Sequence, residues 1–101
     1  MKLLDLNHSA LQIYRTTKGN EGIGFTDAKR KLTRNVQLAI KLKETNSIIT
    51  YKYGNLLIKV NKKRNRIVWI HNWKGYRDSE GWEENEFMKY ILNEDLRIKT
   101  S

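Results

Sequence analysis

The chain has 101 residues, with twenty Lys or Arg against eleven Asp or Glu and a formal net charge of +9. A chain of this length buries about two-thirds of its unfolded surface, which is room for one modest core, so a single small basic domain spanning residues 1–101 is expected. The lack of Cys excludes disulfides and thiolate zinc sites, and two His alone build no structural zinc centre.

No apolar run nears the roughly 18 residues of a membrane span, and Asp5 interrupts the apolar start that a signal peptide would need. The expectation is therefore a cytoplasmic protein with no membrane partner. Three Trp, five Tyr and two Phe with no Pro argue for a folded chain rather than a basic disordered tail. There is no internal repeat, low-complexity tract or interdomain linker.

In chain order, Leu6 to Tyr14 places Leu6, Ala10 and Ile13, and Leu11 and Tyr14, at helical spacing, with Asn7 or Ser9 as the cap. Thr17 to Gly24 holds Gly19, Gly22 and Gly24 and reads as a loop. A second helix is expected from Thr26, as cap, to about Glu44, with Asp27 in its first turn and Lys41 and Lys43 in its last. Ala28, Leu32, Val36, Ala39 and Ile40 would form its core face. Arg30, Arg34, Gln37 and Lys41 would line the opposite side as a basic ridge.

After Asn46 the apolar period changes from 3.6 to 2, over Ile48–Tyr53, Leu56–Val60 and Arg66–Asn72. Gly54-Asn55 is a two-residue hairpin loop, and Lys62-Lys63-Arg64-Asn65 forms a longer turn with three cations at its tip. Alternation places Ile49, Tyr51 and Tyr53 on one face and Ile48, Thr50 and Lys52 on the other. It likewise separates Ile67, Trp69 and His71 from Val68, Ile70 and Asn72. A last helix is expected from Ser79 to Asn93, acidic at its start and with an apolar stripe of Phe87, Met88, Ile91 and Leu92. The expected fold class is α+β: two N-terminal helices, a three-stranded antiparallel β-meander and a C-terminal acidic helix.

Charge is segregated along this plan. Lys29 to Arg77 carries fourteen Lys or Arg and one acid, Glu44, whereas Asp78 to Asp95 carries seven acids and one Lys. Such a field seeks a polyanion. Lys and Arg neutralise phosphates while Tyr and Trp stack on unpaired bases, so RNA or single strands are the favoured partner. Arg30, Arg34, Lys41, Lys52, Lys59, Lys62, Lys63, Arg64 and Arg66 are the expected phosphate contacts. Tyr51, Tyr53, Trp69, Trp73 and Tyr76 are the stacking candidates. The same charge suits docking on an acidic protein surface. The sign change at Asp78 further suggests that the acidic helix start competes with phosphate.

Gly19-Asn20-Glu21-Gly22 matches the GXXG pattern with which KH domains clamp a nucleic-acid backbone. Glu21 would repel phosphate there, which favours an ordinary glycine-bearing turn. The carboxylates of 78–86 are explained by the helix dipole, so no metal and no cofactor is expected. His71, at the end of the third strand beside Trp73, Tyr76 and Arg77, has the chemistry of a general acid or base.

The order of two helices, a basic antiparallel meander and then a helix resembles the small RelE or barnase-like RNase toxins; the resemblance covers roughly Leu6 to Trp73, and the acidic last helix has no necessary place in it. The resemblance implies a metal-independent ribonuclease in which Arg66, His71, Tyr76 and Arg77 form the cleavage site. A non-catalytic nucleic-acid binder is the leading expectation and such a ribonuclease the alternative.

Overall fold

The computed structural model describes residues 2–72 and 83–99. Its elements are β1 (Asp5–Leu6), α1 (His8–Tyr14), α2 (Phe25–Leu38), β2 (Ile40–Glu44), β3 (Ile48–Tyr53), β4 (Leu56–Asn61), β5 (Arg66–Asn72) and α3 (Glu86–Asp95). The sheet runs β1-β5-β4-β3-β2, parallel between β1 and β5 and antiparallel elsewhere. Among the described residues, five strands in a mixed sheet with three helices replace the expected three-stranded meander. The domain remains a small α+β unit, and no described helix is long and apolar enough to cross a membrane.

Both added strands have a physical reason. The helix expected over Thr26–Glu44 ends at Leu38, where Ala39 turns extended (φ −79°, ψ 162°). Beyond it, Ile40-Lys41-Leu42-Lys43-Glu44 alternates apolar with charged residues, and pairing with β3 supplies every second backbone group with a partner. Lys41, Lys43 and Glu44 on this outer strand also blunt an edge that would otherwise recruit another chain. A bulge between Lys41 and Lys43 leaves Leu42 out of register and 54% exposed. The two residues of β1 are too few for any periodicity to reveal. They are fixed by their partners, with Leu6 buried beside Ile67 and Asp5 opposite Arg66.

Caps follow local chemistry. Asn7 Oδ1 accepts from the Ala10 amide at 2.8 Å and caps α1, while Asn7 Nδ2 donates to the Val68 carbonyl at 3.0 Å and ties the helix start to β5. Gly24, rather than Thr26, precedes α2, without a side-chain cap. The loop before it holds Gly19 and Gly22 at φ +86° and +75°, a region that costs any residue with a Cβ. The last described helix begins at Glu86, where Asn85 Oδ1 caps the Met88 amide after the non-helical residues 83–85, while Ser79, its expected start, lies outside the described residues.

One face of the sheet carries the core. Leu56, Ile58 and Val60 of β4 pack with Ile67 and Ile70 of β5 against Leu11 and Tyr14 of α1 and Ala28, Leu32 and Val36 of α2. Ile67 and Ile70 are three residues apart, which strict alternation forbids. A bulge resolves this, with Val60 paired to Ile67 but Lys59 paired to Trp69, so Val68 is the extra residue. Ile67 therefore sides with Ile70, and not with Trp69 and His71 as alternation alone requires. On α3 the expected stripe is only partly used. Leu92 is buried, whereas Phe87 is 72% exposed.

Candidate nucleic-acid interface

The register places two cross-strand rows on the sheet face opposite α1 and α2. One row is Lys43, Thr50, Lys59 and Trp69; the next is Ile40, Lys52, Leu57 and His71. Because β-strands stand opposite residues close together, these rows create contacts that sequence spacing does not display. Lys59 Nζ lies 4.8 Å from the centre of the Trp69 ring, and the His71 ring stacks beside Trp69 at 5.7 Å with 13° between planes. The cation is held over the indole face, where the ring quadrupole attracts it. Trp69 remains 40% exposed.

The turn between β4 and β5 borders the same sheet. Asn61 Oδ1 accepts from the amides of Lys63 and Arg64, both at 3.1 Å, and Asn65 takes the left-handed conformation (φ +51°). Lys62, Lys63 and Arg64 are all exposed. Lys62 is already engaged, since Glu44 binds it at 2.6 Å and Lys41 at 2.7 Å. Their hydrogen bonds and charges, that of Lys41 first, hold the Glu44 carboxyl down at about 2, and Glu44 in turn raises Lys41. The single acid of the basic block thus neutralises two of its cations.

The expected helix ridge is not assembled. Lys41 is in β2, Arg30 lies 3.4 Å from Asp27, and Arg34 is buried with its guanidinium on Asn35 and Asn93. Tyr51 and Tyr53 stand on the helix-bearing face. Tyr51 packs against the core, and Tyr53 donates to Glu84 Oε1 at 2.8 Å. Burial and that carboxylate push the Tyr53 hydroxyl well above its ordinary range. Lys52 is buried, and Arg66 Nε is buried 3.6 Å from Asp5 Oδ2, beyond hydrogen-bond reach. Trp73, Tyr76 and Arg77 lie outside the described residues.

Glu84, expected to oppose the basic surface, also accepts from Lys89, whose contact is the main reason its carboxyl is held low. What sequence reasoning missed is pairing: Glu44 with two lysines, Lys59 with Trp69, and Arg34 with two distant or adjacent amides. The Lys59–Trp69 pair follows from the antiparallel register only once the bulge at Val68 is known, which the sequence does not display.

The YorE family model matches residues 4–94. The SPbeta prophage-derived protein YorE of Bacillus subtilis strain 168 is 30% identical over 105 residues, covering 98% of this chain and 85% of that protein. No solved structure matches the chain. With every described element but the last residue of α3 inside the matched span, the chain belongs to the YorE family.

Proposed function

We propose that this chain is a nucleic-acid-binding protein that takes single strands, RNA foremost, on the sheet face opposite its helices. The observation that carries this reading is the exposed Trp69, flanked by Lys59 and His71. An indole with a cation at its face and a second ring beside it offers a base a stacking surface and its phosphate a counter-charge. Lys43 of the same row and the exposed Lys63 and Arg64 extend the positive surface along the strand path. Stacking of this kind favours unpaired bases, because a duplex hides their faces.

Fluorescence anisotropy of labelled single-stranded RNA, single-stranded DNA and duplex DNA, each titrated at several salt concentrations, tests the reading. Affinity for single strands should exceed that for duplex and fall steeply and log-linearly with salt. Changing Lys59, Lys63 and Arg64 to Glu should abolish it. Absence of binding to all three at low salt overturns the proposal and leaves an acidic protein as the partner.

A second reading draws on the exposure of His71 in the same cluster, namely the metal-independent ribonuclease. Gel analysis of the RNA after incubation separates the two. Intact RNA with measurable affinity supports the binder, whereas cleavage lost in His71→Ala supports the enzyme.

A further inference from the structure

On the other side of the sheet from Trp69, Arg34 presents a different kind of site. Arg34 is 8% exposed, yet among the described residues Nε and Nη2 meet only Asn35 Oδ1, at 3.1 Å, and Nη1 only Asn93 Oδ1, at 2.9 Å. Among the described residues no carboxylate forms an ion pair with it. Neutral amides fix the orientation of the fork, and the Glu84 carboxylate, bonded to Lys89 and Tyr53, feels its charge without making an ion pair with it. A buried cation in that setting is costly unless an anion is drawn to it.

The space over Arg34 suits such an anion. A cavity of about 390 Å³ is lined by Lys18, Lys31, Lys89 and Lys99 together with Arg34 and, among the described residues, by no carboxylate. Lys31 is held by the neutral Asn20 Oδ1 at 3.1 Å, and among the described residues neither Lys18 nor Lys99 has a carboxylate partner. Lys89 alone is matched, by Glu84. A second cavity of about 320 Å³ shares Tyr14, Asn20, Arg34 and Lys89 with the first and continues along Tyr53, Asn55 and Asn72. Each volume is within the range of roughly 300 to 1,000 Å³ typical of small-molecule pockets.

We infer that this cleft is a phosphate site, in which Arg34, steered by Asn35 and Asn93, and the lysines around it bind the phosphate of a nucleotide-sized ligand. The guanidinium fork matches phosphate oxygens, Lys31 adds a charge fixed by Asn20, and the exposed Lys18 and Lys99 add point charges at the rim. The adjoining cavity offers amides and tyrosines to the remainder of the ligand. The phosphate comes from a free mononucleotide or from one nucleotide of a strand, and the chemistry at Arg34 is the same. This site is independent of the sheet-face reading.

Calorimetric titration at low salt with inorganic phosphate, adenosine 5′-monophosphate and a short single-stranded oligonucleotide tests it. Lys18→Glu with Lys99→Glu changes two exposed side chains and leaves the core intact. The expected result is binding of the mononucleotide, weakened at least tenfold in K18E/K99E and unchanged in Trp69→Ala. Binding of the oligonucleotide alone, weakened in K18E/K99E, assigns the phosphate to a strand and also supports the site. If no probe binds, or if K18E/K99E binds every probe as the unaltered chain does, the cleft is not a phosphate site. Loss of oligonucleotide binding confined to Trp69→Ala would uphold the sheet face and overturn the cleft.

Discussion

Arg34 and Asn93 meet through one hydrogen bond, Nη1 to Oδ1 at 2.9 Å, and this bond joins α2 to α3 across 59 positions of chain. The acidic C-terminal segment is thereby attached to the basic body through a neutral amide, at a residue whose spacing suggested an exposed ridge. Asn93→Ala would leave part of a buried guanidinium unsatisfied. A hydrogen bond to a charged group contributes about 1.5 to 3 kcal/mol, so chemical denaturation should show a loss of about that size. Asn93→Asp should keep the geometry and lose much less.

The cap that Asn7 provides has two ends, one on Ala10 and one on Val68. Asn7→Ala removes both. A cap alone is worth about 1 kcal/mol, and the partly buried bond to β5 adds a comparable amount, so about 2 kcal/mol is expected. Asn7→Asp keeps the cap and should recover roughly half, measured by thermal unfolding.

Glu44 makes stability depend on acid. Its folded carboxyl titrates at about 2 against an ordinary value of 4.5, so the unfolded chain binds the proton first. The contribution of Glu44 is therefore present above about pH 4.5 and is lost as pH falls toward about 2. Glu44→Gln should flatten the stability profile between those limits. Because Lys41 and Lys62 are exposed, raising the salt should shrink the difference.

The same substitution carries a functional expectation. Removing the carboxylate frees Lys62, in the turn beside Lys63 and Arg64 of the proposed strand path, so Glu44→Gln should bind single-stranded RNA more tightly and with a steeper salt slope. Weaker binding would place that path elsewhere.

These relationships show how far the sequence could be read. Both hairpins were legible, because Gly54-Asn55 and the Lys62–Asn65 turn separate runs of period two, and α1 was legible from Asn7 and its apolar spacing. Residues 40–44 were not, since Ile40 continues the helical stripe of Leu32 and Val36 while also opening an alternating edge strand. Only tertiary pairing with β3 decides between them. The bulge at Val68 was equally silent, and it decides which of Ile67 and Trp69 is buried. For the candidate site, residue types were informative but positions were not: Arg34 and Lys52 look like surface cations and are buried, whereas Lys59 and Trp69 meet across two strands.

The most direct measurement is the affinity of Trp69→Ala for single-stranded RNA relative to the unaltered chain, by anisotropy at one fixed low salt concentration. Stacking on an aromatic side chain is worth about 1–3 kcal/mol per base, so the substitution should weaken binding roughly 5- to 150-fold and leave any duplex affinity nearly unchanged. An unaltered single-strand affinity would contradict the account, because Trp69 would then be a surface residue with no base upon it.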